Sequence, residues 1–455
     1  MGRAWAVWAG VWLGLGCGAV VQPPEPVESL GVQTRAMHGG RGATRHVRPV
    51  EGAVLGRTVA VDRQGNAFIS LTYERSGVDL GGGALPGESG LALAKYAPDG
   101  RHLWSKAFPT YMDAQPTVSA MAVDEAGNLY IAGAHREPTL SLGGEPLPAG
   151  GFLAKYAPDG THVWSHGAAL PGVELLPPSA LVVDERRGQL VAAVNFLDPG
   201  RPIGAALISR VRVEDGRVLS LKPVVRWGSL SVTSLAVAPS GCLTVAGFFE
   251  GEVDLGGGPF TTTRPRSPFL AHFTPEMSHL WSRGLSEAEG SATGVAVEPG
   301  RILVVGEYSG DFTFRGHAQP AEGRDAFVAS YSGEGHELWV RHFGEAATAV
   351  AIDAENRVVV TGQYRPGDSV GGARLPSRLG GSPDNHLFVV KLYRGSGGHE
   401  WSRGLFSDDV LRGGRLAVTR SGEALLLSHA AGSAEVGTGP VRVPSGSAVL
   451  LRFGR

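Results

Sequence analysis

Cysteine is almost absent: the 455 residues include two, Cys17 and Cys242. Cys17 lies in an apolar leader, so a mature fold stapled by internal disulfides is excluded. Lysine is nearly as scarce, at five of 41 basic residues, and 43 acidic residues leave a net charge of −2. No basic stripe runs along the chain, which excludes nucleic acid as the expected partner. Beyond the leader no apolar run reaches about 18 residues, so no membrane-spanning helix is expected there. The sequence also has no His-Glu-x-x-His, no paired Cys-x-x-Cys, no phosphate-cradling Walker pattern and no serine elbow at a strand-to-helix turn. The reading therefore assigns no catalytic, metal-binding or cofactor-binding residue, and no cofactor. The 14 histidines are scattered. His102, His162, His166, His279 and His336 fall near one class of turn and read as solvated edge residues.

The first residues carry an address. Met1-Gly2-Arg3 is a short positive start, and Ala4 to Leu15 is uncharged and apolar, the length of a signal-peptide core. Leu13-Gly14-Leu15-Gly16-Cys17 follows. Small residues just before a lone cysteine resemble the bacterial lipobox, in which the cysteine is lipidated and becomes the new N-terminus. Leu13 sits one place further from the cysteine than in the usual pattern, and Gly14 takes its slot. An ordinary secretory signal cleaved after Ala19 is the other reading. Gln22-Pro23-Pro24-Glu25-Pro26 then favours an extended spacer. The expected organisation is a signal peptide with a lipobox-like end over 1–17, a flexible Pro/Gly-rich tether over 18–41, and one domain over 42–455. The expected location is exported, in the cell envelope, as an outer-membrane-anchored lipoprotein touching the membrane only through its lipid; secretion is the alternative.

The domain is a repeat. Thr58-Val59-Ala60-Val61-Asp62 returns as Ala120-Met121-Ala122-Val123-Asp124 and as Ala180-Leu181-Val182-Val183-Asp184. Further copies are Leu235–Ala238, Val295–Glu298, Ala349–Asp353 and Leu416–Thr419, which makes seven at a step of about 60 residues. Each copy carries four β-like segments. The first is this small-residue run, and it ends in a turn such as Asp62-Arg63-Gln64-Gly65-Asn66. The second follows at once, as in Leu129-Tyr130-Ile131-Ala132-Gly133. A long Gly-rich connection such as Asp79-Leu80-Gly81-Gly82-Gly83 leads to the third, as in Phe152-Leu153-Ala154-Lys155-Tyr156. Ala-Pro-Asp-Gly turns at 97–100 and 157–160 lead to a fourth segment that carries Trp104, Trp164, Trp281, Trp339 or Trp401.

Four antiparallel strands per copy make a propeller blade. The expected fold is all-β: a single seven-bladed β-propeller of four-stranded antiparallel blades. Alanine and glycine suit the innermost strand, where blades converge. The recurrent tryptophan suits packing between diverging outer strands better than sugar stacking. Repeat 3 departs from the pattern, with Val218-Leu219-Ser220 in place of the tryptophan. Repeat 7 lacks a fourth segment, and Gly42 to Arg48 stands at the right spacing to close the ring from the N-terminus.

The runs Val123 to Gly133, Val253 to Gly258 and Phe152 to Ser165 resemble the SBBP β-propeller repeat family, common in secreted and surface proteins of bacteria, myxobacteria especially. The resemblance covers about 58–455 and implies fold and location. The family has no shared catalytic motif, so it implies no functional residues.

The first-to-second and third-to-fourth turns are tight and open on one end of the ring. The second-to-third connections and the links between repeats are long and varied, and are expected at the opposite end. Function concentrates on variable loops held by a rigid scaffold. The candidate ligand face is therefore the long-loop end, with Tyr111, Asp113, Trp227, Phe248, Phe249, His317 and Arg365. Two functions fit: a surface-tethered, non-catalytic, monomeric interaction module that binds a protein or glycan of the cell envelope, or an extracytoplasmic enzyme of polysaccharide lyase or hydrolase type with an axial pocket at that end.

Overall fold

The computed structural model describes residues 41–455 except 52–53, 111–115, 169–173, 198–203 and 378–385. The leader with Cys17 and nearly all of the tether lie outside the described residues. Among those described there is no helix, and the strands pair antiparallel throughout. The fold is a β-propeller built from four-stranded units.

Repeat 1 shows the plan: Val54–Val61, Ala67–Tyr73, Gly90–Tyr96 and His102–Pro109 pair in chain order. Repeats 2 and 5 also form four-stranded sheets, whereas repeats 3 and 4 each add a short fifth strand, Glu174–Leu175 and Pro259–Thr261. Repeats 6 and 7 share one eight-stranded sheet, against the expectation of a separate sheet for every repeat. The bridge is small, Phe406↔Glu435 and Ser407↔Ala434. Only Asp408 and Asp409 separate the last strand of repeat 6, His399–Ser407, from the first of repeat 7, Val410–Val418, so the two units cannot move apart at that corner. Thr44–Val50 pairs with Pro440–Phe453 and takes the place of the fourth strand in repeat 7, two residues further along than the sequence spacing suggested.

The first strands gather around a common axis. Each touches the first strand of the next repeat, and Val410–Val418 touches Val54–Val61. Their last residues, Val61, Val123, Val183, Val237, Val297, Ile352 and Val418, are all half-buried at one register position and form an apolar collar at the tight-turn end. The turns beyond are closed by side chains. Asp62 Oδ1 accepts the Gln64 and Asn66 amides at 3.0 and 2.8 Å, and Asp353 Oδ1 those of Glu355 and Arg357 at 2.9 and 2.7 Å. These acids are spent on backbone donors, as turn-holding aspartates are. Among the described residues no group of three or more His, Cys, Asp or Glu side chains could hold a metal ion.

The outer strands interlock through the tryptophans. Trp164, Trp281, Trp339 and Trp401 are buried. Trp104, Trp164, Trp281 and Trp339 each donate from Nε1 to a carbonyl in the third-to-fourth turn of the next repeat: Pro158 at 3.0 Å, Val213 at 3.1 Å, Gly333 at 2.8 Å and Arg394 at 2.9 Å. A buried indole satisfied this way packs and orients two sheets at once. Third-strand cations reach the same turns: Lys95 Nζ to Pro158 O at 3.1 Å and Lys155 Nζ to Val213 O at 2.9 Å.

Candidate ligand face

The long second-to-third connections do not stand up at the long-loop end. In repeats 1, 2, 4 and 6 they fold back down the blade, and their Gly-Gly tip, preceded by leucine or in repeat 6 by Val370, lies on the histidine that opens the fourth strand. A Cβ on Gly82 would come within 2.6 Å of His102 Cε1, and one on Gly257 within 2.3 Å of His279 Cε1, so the contact requires glycine. Tyr96 Oη donates to Leu80 O at 2.9 Å, and Tyr156 Oη to Leu142 O at 2.8 Å, pinning the tip from beneath. The histidines complete the staple: Nε2 of His162, His279 and His399 lies 3.1, 3.0 and 3.0 Å from the hydroxyl of Ser165, Ser282 and Ser402. The reading of His102, His162 and His279 as solvated edge residues is therefore corrected; each is half-buried under its glycine tip. His166 and His336 are exposed as expected.

Burial pushes the pKa of His102, His162, His279 and His399 below the ordinary histidine value; neighbouring Arg48 adds to this at His102 and Lys106 at His162. The unfolded chain then binds protons that the folded chain refuses, so stability is complete above the unfolded pKa near 6.5 and falls as pH drops below it toward the folded values. The urea midpoint is expected to fall between pH 7.5 and pH 5, and His162→Gln is expected to flatten that slope.

This folding-back relocates two candidate residues. Trp227 is 43% exposed, but it pairs with Asp254, whose Oδ1 accepts the Gly256 and Gly258 amides at 2.7 and 3.2 Å. It stands on the outer flank beside a folded-back tip, not on the long-loop end. His317 is exposed at the tip of the Arg301–Phe314/His317–Ser332 hairpin. The adjacent Arg315 amide donates to Glu337 Oε2 at 2.5 Å, at the start of a fourth strand, so His317 is also on the flank. Phe249 is fully buried between sheets and is not a contact residue. Tyr111 and Asp113 lie outside the described residues.

Arg365 and Phe248 do stand at the long-loop end, and both belong to a charged array. Glu307 is buried and receives Arg266 at 3.2 Å and also Arg324. Arg365 lies 3.7 Å from Asp325 Oδ1 and donates to Arg324 O. The Arg266 guanidinium lies 5.4 Å from the Phe248 ring centroid. The array runs across repeats 4, 5 and 6.

Sequence reasoning missed a further ring. In repeats 1, 2, 4, 5 and 6 a β-bulge interrupts the first strand. An unpaired bulge residue turns out of the ladder. Four positions before the collar residue stand Arg57, Ser119, Ser179, Thr233, Thr293, Thr348 and Gly414. Ser119 Oγ lies 2.6 Å from Pro178 O, Thr233 Oγ1 2.5 Å from Ala292 O, and Thr293 Oγ1 2.6 Å from Ala347 O, each bridging to the next repeat. The fixed offset from the strand-ending valine was the available signal.

No family model matches the chain, and no curated protein matches it. Solved structures similar to it include BamB from Moraxella catarrhalis (11% identity, 90% of this chain and 100% of that one, TM-score 0.40). The propeller domain of the trilobed protease from Pyrococcus furiosus shares 9% identity over 82% of this chain and 89% of that one, TM-score 0.42. A europium-containing methanol dehydrogenase shares 8% identity over 90% and 93%, TM-score 0.44. At these scores none lends its function to this chain.

Proposed function

We propose that this chain is a closed seven-bladed propeller of the SBBP type, exported and lipidated on Cys17, and that it acts as a non-catalytic interaction module binding a protein or glycan of the cell envelope at its long-loop end. Closure is supported by the pairing of Thr44–Val50 with Pro440–Phe453 and by two hooks across the seam. Arg452 donates to Pro98 O and Gly65 O of repeat 1, and Arg48 Nη2 to Leu80 O at 2.8 Å. The observation that carries the binding reading is the charged array at the long-loop end, Arg266–Glu307–Arg324 with Asp325–Arg365. It is broad and spans three repeats, as a recognition face does. The first-strand groups nearest the axis whose pKa is displaced there are Arg57 and Arg415. Guanidinium groups bind and orient anions but keep their protons, so they suit recognition and not acid–base catalysis.

The test uses full-length Cys17→Ser protein, which is expected to leave the membrane fraction, as bait for cell-envelope fractions. An Arg266→Glu/Arg365→Glu variant should lose the captured partner, while Arg420→Glu at the tight-turn end should keep it. Equal capture by both variants would sink the face assignment, and undiminished membrane association of Cys17→Ser would sink the lipid anchor.

A further inference from the structure

Around the axis, Arg57 and Arg415 break two rings of small residues at neighbouring positions. Arg57 occupies the bulge position that carries serine or threonine in five other repeats. Arg415 stands where the other repeats have Thr58, Ala120, Ala180, Ser234, Gly294 and Ala349. The two residues lie on first strands that touch each other, those of repeats 1 and 7.

The hydroxyls of Ser119, Thr233 and Thr293 in the bulge ring are spent on carbonyls of the next repeat. The two arginines are not. Arg57 Nε is buried and has no hydrogen-bond partner. Among the described residues Arg415 has neither a hydrogen bond nor an ion pair. Arg415 is open to solvent, yet protein surrounds it closely enough that desolvation lowers its pKa. Both hold for a side chain standing beside the axis that the first strands surround. Burial lowers the pKa of Arg57; Glu74 opposes that effect and Arg415 adds to it. Arg57 and Arg415 thus face a single carboxylate, that of Glu74, and their local net charge is positive.

Two like charges held near each other where both are partly desolvated are costly unless an anion completes them. Each guanidinium presents a planar fork of donors that fits a two-oxygen acceptor. Arg57 and Arg415 stand four and three residues before the collar residues Val61 and Val418, toward the long-loop end. We propose that Arg57 and Arg415 form an axial binding site for an oxyanion group, a carboxylate or a phosphate. The site rests on the reading of the long-loop end as the recognition face and names the chemistry taken at its centre.

The test is isothermal titration of the full-length protein with inorganic phosphate and, separately, with glucuronate, in chloride of matched ionic strength. One equivalent of at least one probe is expected to bind, and Arg57→Gln and Arg415→Gln should each weaken it roughly tenfold or more, as loss of a bidentate charged contact does. Binding of phosphate alone identifies a phosphoryl group as the natural ligand, and binding of glucuronate alone a carboxylate. No binding of either probe, or equal binding by both variants, overturns the site. Thermal unfolding without anion supplies a second readout. Removal of an unpaired charge should leave the midpoint of Arg415→Gln at or above that of the parent, and a drop of several degrees would mark Arg415 as a structural support and overturn the proposal. Lost anion binding with an intact pull-down removes only the axial site, and the converse removes only the face reading.

Discussion

A chain that begins at residue 51 is expected to lose cooperative folding, whereas one that begins at residue 41 keeps it. Thr44–Val50 stands in register with Ala448–Phe453, and Val50 is 2% exposed against the repeat 1–repeat 7 core. Thr44 Oγ1 donates to Val436 O at 2.5 Å, and Arg48 holds Leu80 O and Gly100 O at 2.8 and 3.1 Å. Each lost hydrogen bond is worth about 0.5–1.5 kcal/mol. The ladder, the hooks and the buried valine together amount to about 5 kcal/mol or more, comparable to the whole stability of an ordinary domain. Deletion would also leave Pro440–Phe453 as a long exposed edge strand, a template for aggregation. Size-exclusion chromatography and urea unfolding of the two truncations would check this. Indistinguishable midpoints would show that the N-terminal strand is dispensable.

Trp281→Ala is expected to destabilise the protein by about 3–5 kcal/mol, as a buried aromatic truncation does. The indole fills the space between repeats 4 and 5, tilted against His272 at 5.6 Å and 6.1 Å from Tyr331. Gly335 presses against it so closely that a Cβ there would come within 2.7 Å of the ring. A conservative series separates packing from hydrogen bonding. Trp339→Phe removes the indole bond to Arg394 O, which keeps only Arg301 Nη1 at 2.6 Å, and should cost about 1 kcal/mol more than Trp401→Phe. Trp401 Nε1 is buried and has no hydrogen-bond partner among the described residues, because the repeat that follows it is completed by the N-terminal strand and brings no matching third-to-fourth turn. Equal costs for the two phenylalanine variants in urea titrations would contradict that account.

Much of the fold was legible because a repeat states its rules several times. Small residues before Asp62, Asp124, Asp184 and Asp353 marked the first strand each time, and the Ala-Pro-Asp-Gly turns and recurring tryptophans marked the fourth. Packing was the right reading for the tryptophans because a position shared by five repeats answers to the scaffold. The candidate face was read less well. Trp227 and His317 were placed by connection length alone, and length does not give direction. The Gly-Gly tips fold down onto His102, His162, His279 and His399 because only glycine can approach those rings, a contact between residues 18 to 28 positions apart.

Repeat 3 lacks both the Leu-Gly-Gly tip and the histidine beneath it, and Val218, Leu219 and Leu221 of its outer strand are left 53%, 46% and 41% exposed. By itself the sequence determined the strand-turn-strand grammar, the number of copies and the need for a strand from the N-terminus, because periodicity and turn chemistry are local. The tertiary structure decided which way each long connection runs, and that Arg57 and Arg415 come near each other on touching first strands. Those outcomes depend on strands 358 residues apart lying side by side.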